Sequence, residues 1–525
     1  MERKFNTKGI CVPEKNYMVD LAERVRLIER EYIEPGEYFV INRARQYGKT
    51  TTLRALEKGL LGKYTVIRTS FQGLDASIFA DVVRFIKRFV EMCAMRLISQ
   101  GFSTQFVNEW AIVPDGSDLF ILRNKIASLV EESDKLVVLI IDEVDQVSNN
   151  DLFLSFLGML REMYLEDQDA EIERSFHNVI LAGVYDIMNL KRKVRGDEEH
   201  RLNSPWNIEE SFYNVDMSFS AKQIAGMLTE YESDHNIGMD IDVVAECIHF
   251  FTGGYPYLVS ALCKIIHDNS LSWTADGVQD AEQRLLNSRN KLFDDITKNL
   301  TNNKKFAELV QGILLGGQTY TYEDSNPAID LGVMFGILKN NNGMVALSNV
   351  IFQSKIQKYF ISIAETDPIM SKYKGNPTRF VRNGKFYLDD ALKAFERIMR
   401  AEYRHEYGSF IEKTGRLLLL LWIVPSINGE GGWYTEPQIR GNQQMDLVIQ
   451  YGADKFIIEL KIWRGEQYEQ EGAAQLAKYL KDTYMKEGYL VSFCDNIKSP
   501  RESGVYEYDG VTIHEYIIAY KDNVS

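Results

Sequence analysis

Near the start of the chain, a glycine, a lysine and two threonines follow a short apolar run. Residues 38–41 predict a buried strand, and residues 52–56 are compatible with a helix. In such a strand, loop and helix, Gly48 lets the backbone approach phosphate groups, which the N–H groups at the helix start bind. Lys49 would reach the β- and γ-phosphates, and the Thr50 hydroxyl would bind Mg²⁺. The pattern therefore predicts a site for ATP and Mg²⁺ at Gln46, Tyr47, Gly48, Lys49, Thr50 and Thr51.

Arg43 stands where the usual phosphate-binding pattern has its first glycine, so a second element must support the site. Residues 136–141 supply it, because they form an apolar run of strand length that ends in Asp142-Glu143. Such a run is typical of a central parallel strand, whose carboxyl end is where these sheets bind ligands. Asp142 would hold Mg²⁺ through water, and Glu143 would polarise the attacking water. The alternative is a strand that ends in a solvated acidic turn.

Two further apolar segments, residues 64–70 and 178–184, have the spacing of repeated strand–helix units. The four runs together predict a parallel sheet. A polar side chain near Gly183 and Asp186 could sense the γ-phosphate, although turn chemistry explains both residues equally well. Several arginines could contact phosphate, although solvated or acid-paired arginines are more common. The two arginines of the loop are Arg43 and Arg45. A later stretch that could supply an arginine finger contains Arg192, Arg195 and Arg201.

Residues 17–20, 38–39 and 43–51 resemble the bacterial AAA-like ATPases, whose phosphate loop characteristically carries arginines in place of the first glycine. The resemblance continues through Asp142-Glu143. It includes residues 252–258, which are similar to the Gly-Gly-x-Pro helix start in the lid of related ATPases. This resemblance implies a P-loop ATPase with a helical lid. Paired glycines and a proline also form an ordinary helix entry.

Two carboxylates and a lysine lie on a predicted hairpin near the end of the chain. Residues 445–451 and 456–462 read as strands that flank the turn residues 452–455. If the turn centres between Ala453 and Asp454, Asp446 lies opposite Lys461, and Glu459 shares that face. Asp446 and Glu459 could then bind Mg²⁺ while Lys461 orients the activated water. The alternative is an ordinary cross-strand ion pair, which we expect about as often for this pattern.

The spacing from Asp446 to Glu459-x-Lys461 resembles the core of the PD-(D/E)XK nucleases, and residues 475–479 are similar to a helix motif of that superfamily. Glu436, Asp446, residues 458–465 and Gln475 together look like the nuclease-superfamily domain fused to AAA-like ATPases. The resemblance implies that Gln475 belongs to the site. The sequence departs from the superfamily pattern in one residue, because Met445 stands before Asp446 in place of proline. A helix glutamate often completes such sites, and Glu412 is the guess among Glu402, Glu406 and Glu412.

The predicted fold class is α/β, with four domains in order. A P-loop ATPase parallel sheet occupies residues 1–215, a helical lid 216–300, and a winged-helix-like connector 301–366. An α/β restriction-endonuclease-like domain follows at 378–525. The connector is predicted from helix-like segments that precede an Asn-Gly turn between two short strand-like runs. It carries no concentration of basic residues, which favours a connecting role over DNA contact.

The net charge of −15 over 525 residues argues against a protein coated in nucleic acid, but it leaves room for a local basic surface. In one stretch the basic residues outnumber the acidic ones: Lys372, Lys374, Arg379, Arg382, Lys385, Lys393, Arg397, Arg400, Arg404, Lys413 and Arg416.

The five cysteines are scattered without a CxxC pair, which favours free thiols. The longest apolar run, residues 417–424, is too short to cross a bilayer, so we expect a cytoplasmic chain with no membrane partner.

Two sites on one chain predict an ATP-hydrolysing AAA-like ATPase coupled to a metal-dependent nuclease-like domain that acts on DNA or RNA. The alternative is an ATP-driven switch or assembly protein whose nuclease-like domain is a non-catalytic binding module. In a third reading, ATP is bound and not hydrolysed. Assembly into a homo-oligomer is left open.

Overall fold

The computed structural model describes residues 3–144, 150–168, 174–183, 216–316, 318–376, 379–403, 412–427, 431–434, 447–463, 466–494 and 503–519. The chain divides into two compact units. The first comprises residues 1–249, 254–278 and 334–336, and the second comprises 250–253, 279–333 and 337–525. The four predicted domains are a finer division than these two units and stay a prediction.

The first unit is built on a parallel sheet. Its described strands are β1 (Phe39–Asn42), β2 (Thr65–Ser70), β3 (Val137–Asp142) and β4 (Asn178–Gly183). Their order is β1-β4-β3-β2, and every pair is parallel. All residues of β3 and β4 are buried, as expected for central strands covered on both faces. The four strands predicted from apolar runs are confirmed.

Helices cover both faces of this sheet. In β3, Leu139 and Ile141 belong to one hydrophobic core, whereas Val138 and Ile140 belong to the other. This alternation follows from the two-residue period of a strand. The described helices of this part are α1 (Ala22–Ile28), α2 (Lys49–Leu60), α3 (Val82–Leu97), α4 (Thr104–Trp110), α5 (Leu119–Glu132) and α6 (Asp151–Gln168).

The segment predicted as a lid is helical. It contains α7 (Ala221–His235), α8 (Ile241–Thr252), α9 (Pro256–Asp268), α10 (Ala275–Asn287) and α11 (Lys291–Asn302). Ser220 and Gln223 form a capping box at the start of α7, and Pro256 occupies the first turn of α9. One boundary between the two units falls inside α8, after His249, and another falls inside α10, after Val278.

The winged-helix-like segment contains the predicted hairpin. Its elements are α12 (Lys304–Gly316), α13 (Pro327–Met334), β5 (Leu338–Asn341), β6 (Met344–Leu347) and α14 (Val350–Thr366). Asn342 and Gly343 both have positive φ, at 51° and 82°, which is the pattern of a type I′ turn. The Asn-Gly signal therefore identified this hairpin correctly.

In the described part of the second unit, six strands form one sheet with the order β13-β14-β12-β11-β10-β9. These strands are β9 (Gly431–Tyr434), β10 (Leu447–Tyr451), β11 (Asp454–Ile462), β12 (Glu487–Cys494), β13 (Gly504–Tyr508) and β14 (Val511–Ala519). A separate small hairpin pairs β7 (Val381–Arg382) with β8 (Lys385–Phe386). The remaining helices are α15 (Leu388–Glu402), α16 (Glu412–Ile427) and α17 (Glu466–Asp482).

This second sheet has helices on both faces. Leu476 of α17 packs with Leu490 of β12 in one core. On the other face, the ring of Phe493 lies 6.4 Å from that of Phe395 in α15 and next to Gly415 in α16. The arrangement is a three-layer α/β structure, which agrees with the predicted fold class.

The register predicted for the C-terminal hairpin is wrong, because the turn is centred one residue earlier than predicted. Tyr451 pairs with Asp454, and Leu447 pairs with Ile458, so the turn centres between Gly452 and Ala453. Gly452 has a φ of 58°, a conformation that glycine adopts readily at the first position of a two-residue turn. The register that would set Asp446 opposite Lys461 is therefore wrong. Asp446 itself lies outside the described residues.

The long apolar run near residue 420 is part of α16, whose residues 417–423 are buried. No helix among the described residues is long and apolar enough to cross a membrane.

Candidate functional site

The loop between β1 and α2 depends on a backbone conformation that only glycine adopts without strain. Gly48 has a φ of 78° and immediately precedes the first residue of α2. A Cβ atom there would meet Pro256 only at ordinary contact distance, so conformation and not space requires the glycine. Gln46 also has positive φ, at 60°. The loop therefore turns sharply where it enters α2, and the start of a helix is a common binding site for phosphate groups.

Lys49 lies across this loop and is only 7% exposed. Its ammonium group donates to the carbonyl oxygens of Arg43, at 2.7 Å, and Ala44, at 3.1 Å. A phosphate group bound in the loop would offer this cation a charged acceptor, which forms stronger hydrogen bonds than a neutral carbonyl does. The position suits the role predicted for Lys49.

Two tyrosines fix the loop from outside. The Tyr47 hydroxyl lies 2.9 Å from the Ser218 hydroxyl, and the rings of Tyr47 and Tyr255 are 4.4 Å apart. The Tyr255 hydroxyl donates to the carbonyl oxygen of Arg45 at 2.5 Å. The sequence did not predict these contacts of Ser218 and Tyr255. Tyr255 lies in the Gly-Gly-Tyr-Pro motif, so that motif contacts the loop between β1 and α2 as well as starting a helix.

The two threonines of the motif occupy different surroundings. Thr50 is half-buried in the first turn of α2, where a hydroxyl can face the loop. The Thr51 hydroxyl accepts a hydrogen bond of 3.4 Å from the backbone N–H of Cys11. Thr51 therefore ties the N-terminal segment to the helix that follows the loop.

Asp142 and Glu143 lie at the carboxyl end of β3, as predicted. Asp142 is 2% exposed, and its Oδ1 atom accepts a hydrogen bond of 2.9 Å from the Glu143 backbone N–H. Glu143 has a φ of 58°, which is strained for a residue with a side chain. Such strain is concentrated at functional sites. Because β1 and β3 belong to the same parallel sheet, their carboxyl ends lie at one edge of it.

Two arginines near the loop are shielded from water to different degrees, since Arg24 is buried and Arg43 is half-buried. Burial lowers the pKa of the Arg43 guanidinium, an effect that Tyr47 and Asp216 oppose. Burial also lowers the pKa of Arg24, which donates to the Ser218 carbonyl oxygen at 3.2 Å. The partly buried guanidinium of Arg43 adds positive charge at the position where the usual pattern has its first glycine.

Part of the predicted nucleotide site lies outside the described residues. Asn42 pairs with Gly183, and the Arg43 backbone N–H donates to the Gly183 carbonyl oxygen at 3.3 Å, so Gly183 adjoins the loop. Asp186, Arg192, Arg195 and Arg201 fall among the residues that the structure does not describe.

In the second unit, the structure brings three of the predicted residues together. The Glu459 carboxylate is completely buried, and its Oε1 atom lies 2.7 Å from the Lys461 ammonium. Lys461 also donates to the Oε1 atom of Gln475 at 3.2 Å. Glu459 and Lys461 lie on the same face of β11 because they are two residues apart. Gln475 reaches them from α17.

A glycine that the sequence analysis did not single out makes room for this group. Gly472 of α17 faces the Lys461 side chain, and a Cβ atom there would lie 3.1 Å from its Cγ atom. The spacing of three residues between Gly472 and Gln475 places both on one face of the helix. A small residue one turn before Gln475 could have been the signal.

The structure does not describe the side chains of the other predicted members of this site. Glu436, Asp446, Met445 and Glu406 lie outside the described residues, as do the side chains of Glu402 and Glu412. Among the residues that are described, no three His, Cys, Asp or Glu side chains converge as metal ligands. The geometry therefore places Glu459, Lys461 and Gln475 together and leaves the second carboxylate as a prediction.

Comparison with known families agrees with both halves of the sequence analysis. A family model described as an AAA-like domain matches residues 14–360, about two thirds of the chain. The chain belongs to the AAA-like domain family. The AAA-like domain is followed by a match to the PD-(D/E)XK nuclease superfamily over residues 432–502. The two resemblances drawn from the motifs are thus confirmed at the level of family.

Several solved structures match about two thirds of this chain. A Walker-type ATPase of Pyrococcus abyssi is 12% identical with a TM-score of 0.47, covering 67% of this chain and 99% of its own. The ORC2 protein of Aeropyrum pernix is 11% identical with a TM-score of 0.37, covering 68% and 98%. The ORC1 protein of that organism, solved with DNA, is 14% identical with a TM-score of 0.28, covering 66% and 94%. A search of curated proteins gave no significant match.

Proposed function

We propose that the chain binds ATP with Mg²⁺ at the loop before α2 and hydrolyses it. The observation that carries the proposal is the buried Lys49, which lies across the loop that contains the left-handed Gly48. This loop follows β1, and Asp142 and Glu143 stand at the carboxyl end of β3 in the same parallel sheet. A cation and the N–H groups of a helix start suit a triphosphate, and carboxylate and hydroxyl oxygens such as those of Asp142 and Thr50 suit Mg²⁺.

In this proposal each residue has a separate task. Lys49 binds the β- and γ-phosphates, and Gln46, Tyr47, Gly48 and Thr51 contribute their backbone N–H groups to the cradle. Thr50 and Asp142 would hold Mg²⁺, which neutralises charge on the phosphates when it is bound. Glu143, which follows β3 with a strained backbone, would polarise the water that attacks the γ-phosphate.

We further propose that the PD-(D/E)XK domain is a metal-dependent nuclease acting on DNA or RNA. Asp446 and Glu459 would hold the metal ion, Lys461 would orient the attacking water, and Gln475 would position Lys461. The contacts of Lys461 with Glu459 and Gln475 support this assignment, because they bring a cation to a buried carboxylate. When bound, the metal ion would lower the pKa of its water and stabilise charge on the phosphate.

ATP turnover tests the first half of the proposal. We expect phosphate release from the full chain with Mg²⁺ and its loss in Lys49→Ala. A matched control is Lys58→Ala, which removes an exposed lysine from the same helix, α2. Equal turnover by the wild type and Lys49→Ala would refute hydrolysis at this loop.

Cleavage tests the second half. The full chain would be incubated with Mg²⁺ or Mn²⁺ and with duplex DNA, single-stranded DNA and RNA, beside Asp446→Ala and Lys461→Ala. The control is Lys486→Ala, which removes an exposed lysine of the same unit. We expect cutting by the wild type and the control alone. Turnover of ATP without cleavage under any condition would instead favour the ATP-driven switch whose nuclease-like domain only binds.

A further inference from the structure

A row of exposed basic side chains lies on the second unit, away from the residues assigned to cleavage. Residues 372–403 carry eight basic and four acidic residues in a chain whose net charge is −15. Three of the basic residues lie on α15 and two on the β7–β8 hairpin, and all five are exposed. We call these five residues the basic ridge: Arg382, Lys385, Lys393, Arg397 and Arg400.

The helical part of the ridge follows from the amphipathic pattern of α15. Leu392, Phe395 and Met399 are buried on its inner face. Lys393, Arg397 and Arg400 are exposed and separated by four and three residues, so they form one stripe along the outer face. At 1.5 Å per residue, this stripe extends over about 10 Å.

The hairpin continues the ridge beyond the start of α15. Arg382 forms an ion pair with Asp390, which precedes Lys393 by three residues on the same helix face. The Arg382 guanidinium also lies 4.3 Å from the centre of the exposed Tyr387 ring. These contacts hold Arg382 at the beginning of the stripe.

Acidic neighbours do not prevent this surface from binding an anion. Arg400 pairs with Glu396 at 3.1 Å, and Arg382 pairs with Asp390, but both arginines are largely exposed. Exposed ion pairs contribute only about 0 to 1 kcal/mol, so they exchange readily for a phosphate group, to which arginine can bind through two hydrogen bonds. The five basic residues of the ridge therefore exceed in number the two acidic residues, Asp390 and Glu396, with which they pair.

We propose that the basic ridge binds the phosphate backbone of duplex DNA independently of sequence. Each strand of a duplex presents one phosphate for about every 3.4 Å of the duplex axis. About three phosphates of one strand therefore lie within the 10 Å that the helical stripe spans. Three cations on a straight helix match this rigid, repeating array. The inference deepens the proposed function, on which it rests, by naming the surface that holds the nucleic acid.

The ridge is separate from the candidate cleavage residues. Asp389 of α15 accepts hydrogen bonds from the hydroxyl groups of Tyr489 and Tyr516, which anchors the helix to one face of the sheet. Lys461 contacts Gln475 of α17 on the opposite face. The ridge thus contacts DNA away from any bond that is cut, and its loss changes affinity without changing the chemistry of cleavage.

Binding of a labelled duplex to the full chain in EDTA, measured by fluorescence anisotropy at several salt concentrations, tests the proposal. In Lys393→Gln/Arg397→Gln/Arg400→Gln we expect affinity to fall by about 10- to 100-fold near 0.1 M salt. The slope of log K against log salt would fall by about 2 to 3, because three phosphate contacts are lost. Glutamine has nearly the helix propensity of lysine and arginine, so α15 should be retained.

Two further variants separate the ridge from general charge and from folding. Lys298→Gln/Lys304→Gln/Lys305→Gln removes the same charge from exposed positions elsewhere in the second unit and should bind as the wild type does. Lys393→Arg/Arg397→Lys/Arg400→Lys keeps the charge and should retain binding.

The results that overturn the proposal are distinct from failure of the proposed function. Equal affinity and salt slope in the wild type and the glutamine triple variant would overturn it, and so would equal losses in the ridge and control variants. The absence of duplex binding by the wild type, or equal binding of single-stranded DNA with the same dependence on the ridge, would also overturn it. ATP turnover and cleavage, measured in the same preparations with Mg²⁺, report separately on the proposed function.

Discussion

Lys49 and Lys461 occupy two kinds of site that both depend on a lysine. Lys49 lies at the start of a helix, is almost fully buried, and donates to two neutral carbonyl oxygens of a loop. Lys461 lies on a strand, is about a quarter exposed, and pairs with the buried carboxylate of Glu459. A phosphate-binding lysine brings positive charge to the ligand, whereas a lysine beside a carboxylate leaves little net charge until a metal ion arrives. The same residue type thus indicates different ligands in the two units.

The largest expected effect is at the first of these lysines. In Lys49→Ala, ATP turnover should fall by about two to three orders of magnitude, because the cation that stabilises the γ-phosphate in the transition state is lost. Steady-state phosphate release measures the change. The comparison of the two lysines fails if Lys461→Ala lowers ATP turnover as much as Lys49→Ala does.

The second effect concerns stability at the other lysine. Lys461→Met should lower the free energy of unfolding by about 3 kcal/mol, since the buried Glu459 carboxylate loses its cation. The double variant Glu459→Gln/Lys461→Met should recover most of that loss, because it leaves no buried charge. Urea unfolding followed by tryptophan fluorescence measures both. A double variant as unstable as the single one would contradict the pairing.

Glu282 in α10 is a second buried carboxylate, and it sharpens this comparison because the charge of Lys358 does not outweigh the effect of burial on its pKa. Burial raises the pKa of Glu282 in α10 to about 7, against the opposing charge of Lys358 in α14. The folded state therefore favours the protonated acid. The contribution of Glu282 to the free energy of unfolding is fully present below about pH 4.5 and is lost as the pH rises to about 7. Glu282→Gln mimics the protonated form, so it should gain up to about 3 kcal/mol over the wild type at pH 8 and little at pH 5.

The measurement is the difference in unfolding free energy between Glu282→Gln and the wild type at the two pH values. The control is Glu308→Gln, which changes an exposed glutamate of the same unit. A difference that is the same at pH 5 and pH 8 would show that Glu282 does not titrate in this window.

The smallest expected effect tests the conformation of the phosphate loop. Gly48→Ala should destabilise the chain by about 1 kcal/mol, because alanine is strained at a φ of 78°. Gly226→Ala should instead stabilise it by up to about 1 kcal/mol, since Gly226 lies within α7 and an added Cβ atom would stand in open space. Thermal unfolding reports the two shifts. Shifts of the same sign would contradict the assignment of a left-handed Gly48.

The sequence predicted those features that depend on local pattern. Continuous apolar runs identified β3 and β4 because strands covered on both faces exclude polar residues. The Asn342-Gly343 pair identified a turn because both positions need positive φ. Glu459 and Lys461 were placed together because residues two apart on a strand share a face.

The sequence failed where the outcome depends on a choice among similar turns or on distant packing. Several residues could centre the C-terminal hairpin, and Gly452 set it one residue earlier than predicted. The contact of Tyr255 with the Arg45 carbonyl joins positions 210 residues apart, which no local pattern reveals. The need for Gly472 beside Lys461 likewise arises only when α17 packs on β11.

Glu143→Gln tests the proposed ATP hydrolysis most directly, because it removes the water-activating carboxylate and keeps the shape of the side chain. ATP binding by calorimetry and phosphate release would be measured on the same preparation with Mg²⁺. We predict that binding persists near the wild-type affinity while phosphate release falls by about 100-fold or more. Phosphate release at the wild-type rate would contradict the assignment of Glu143 and hydrolysis at this site.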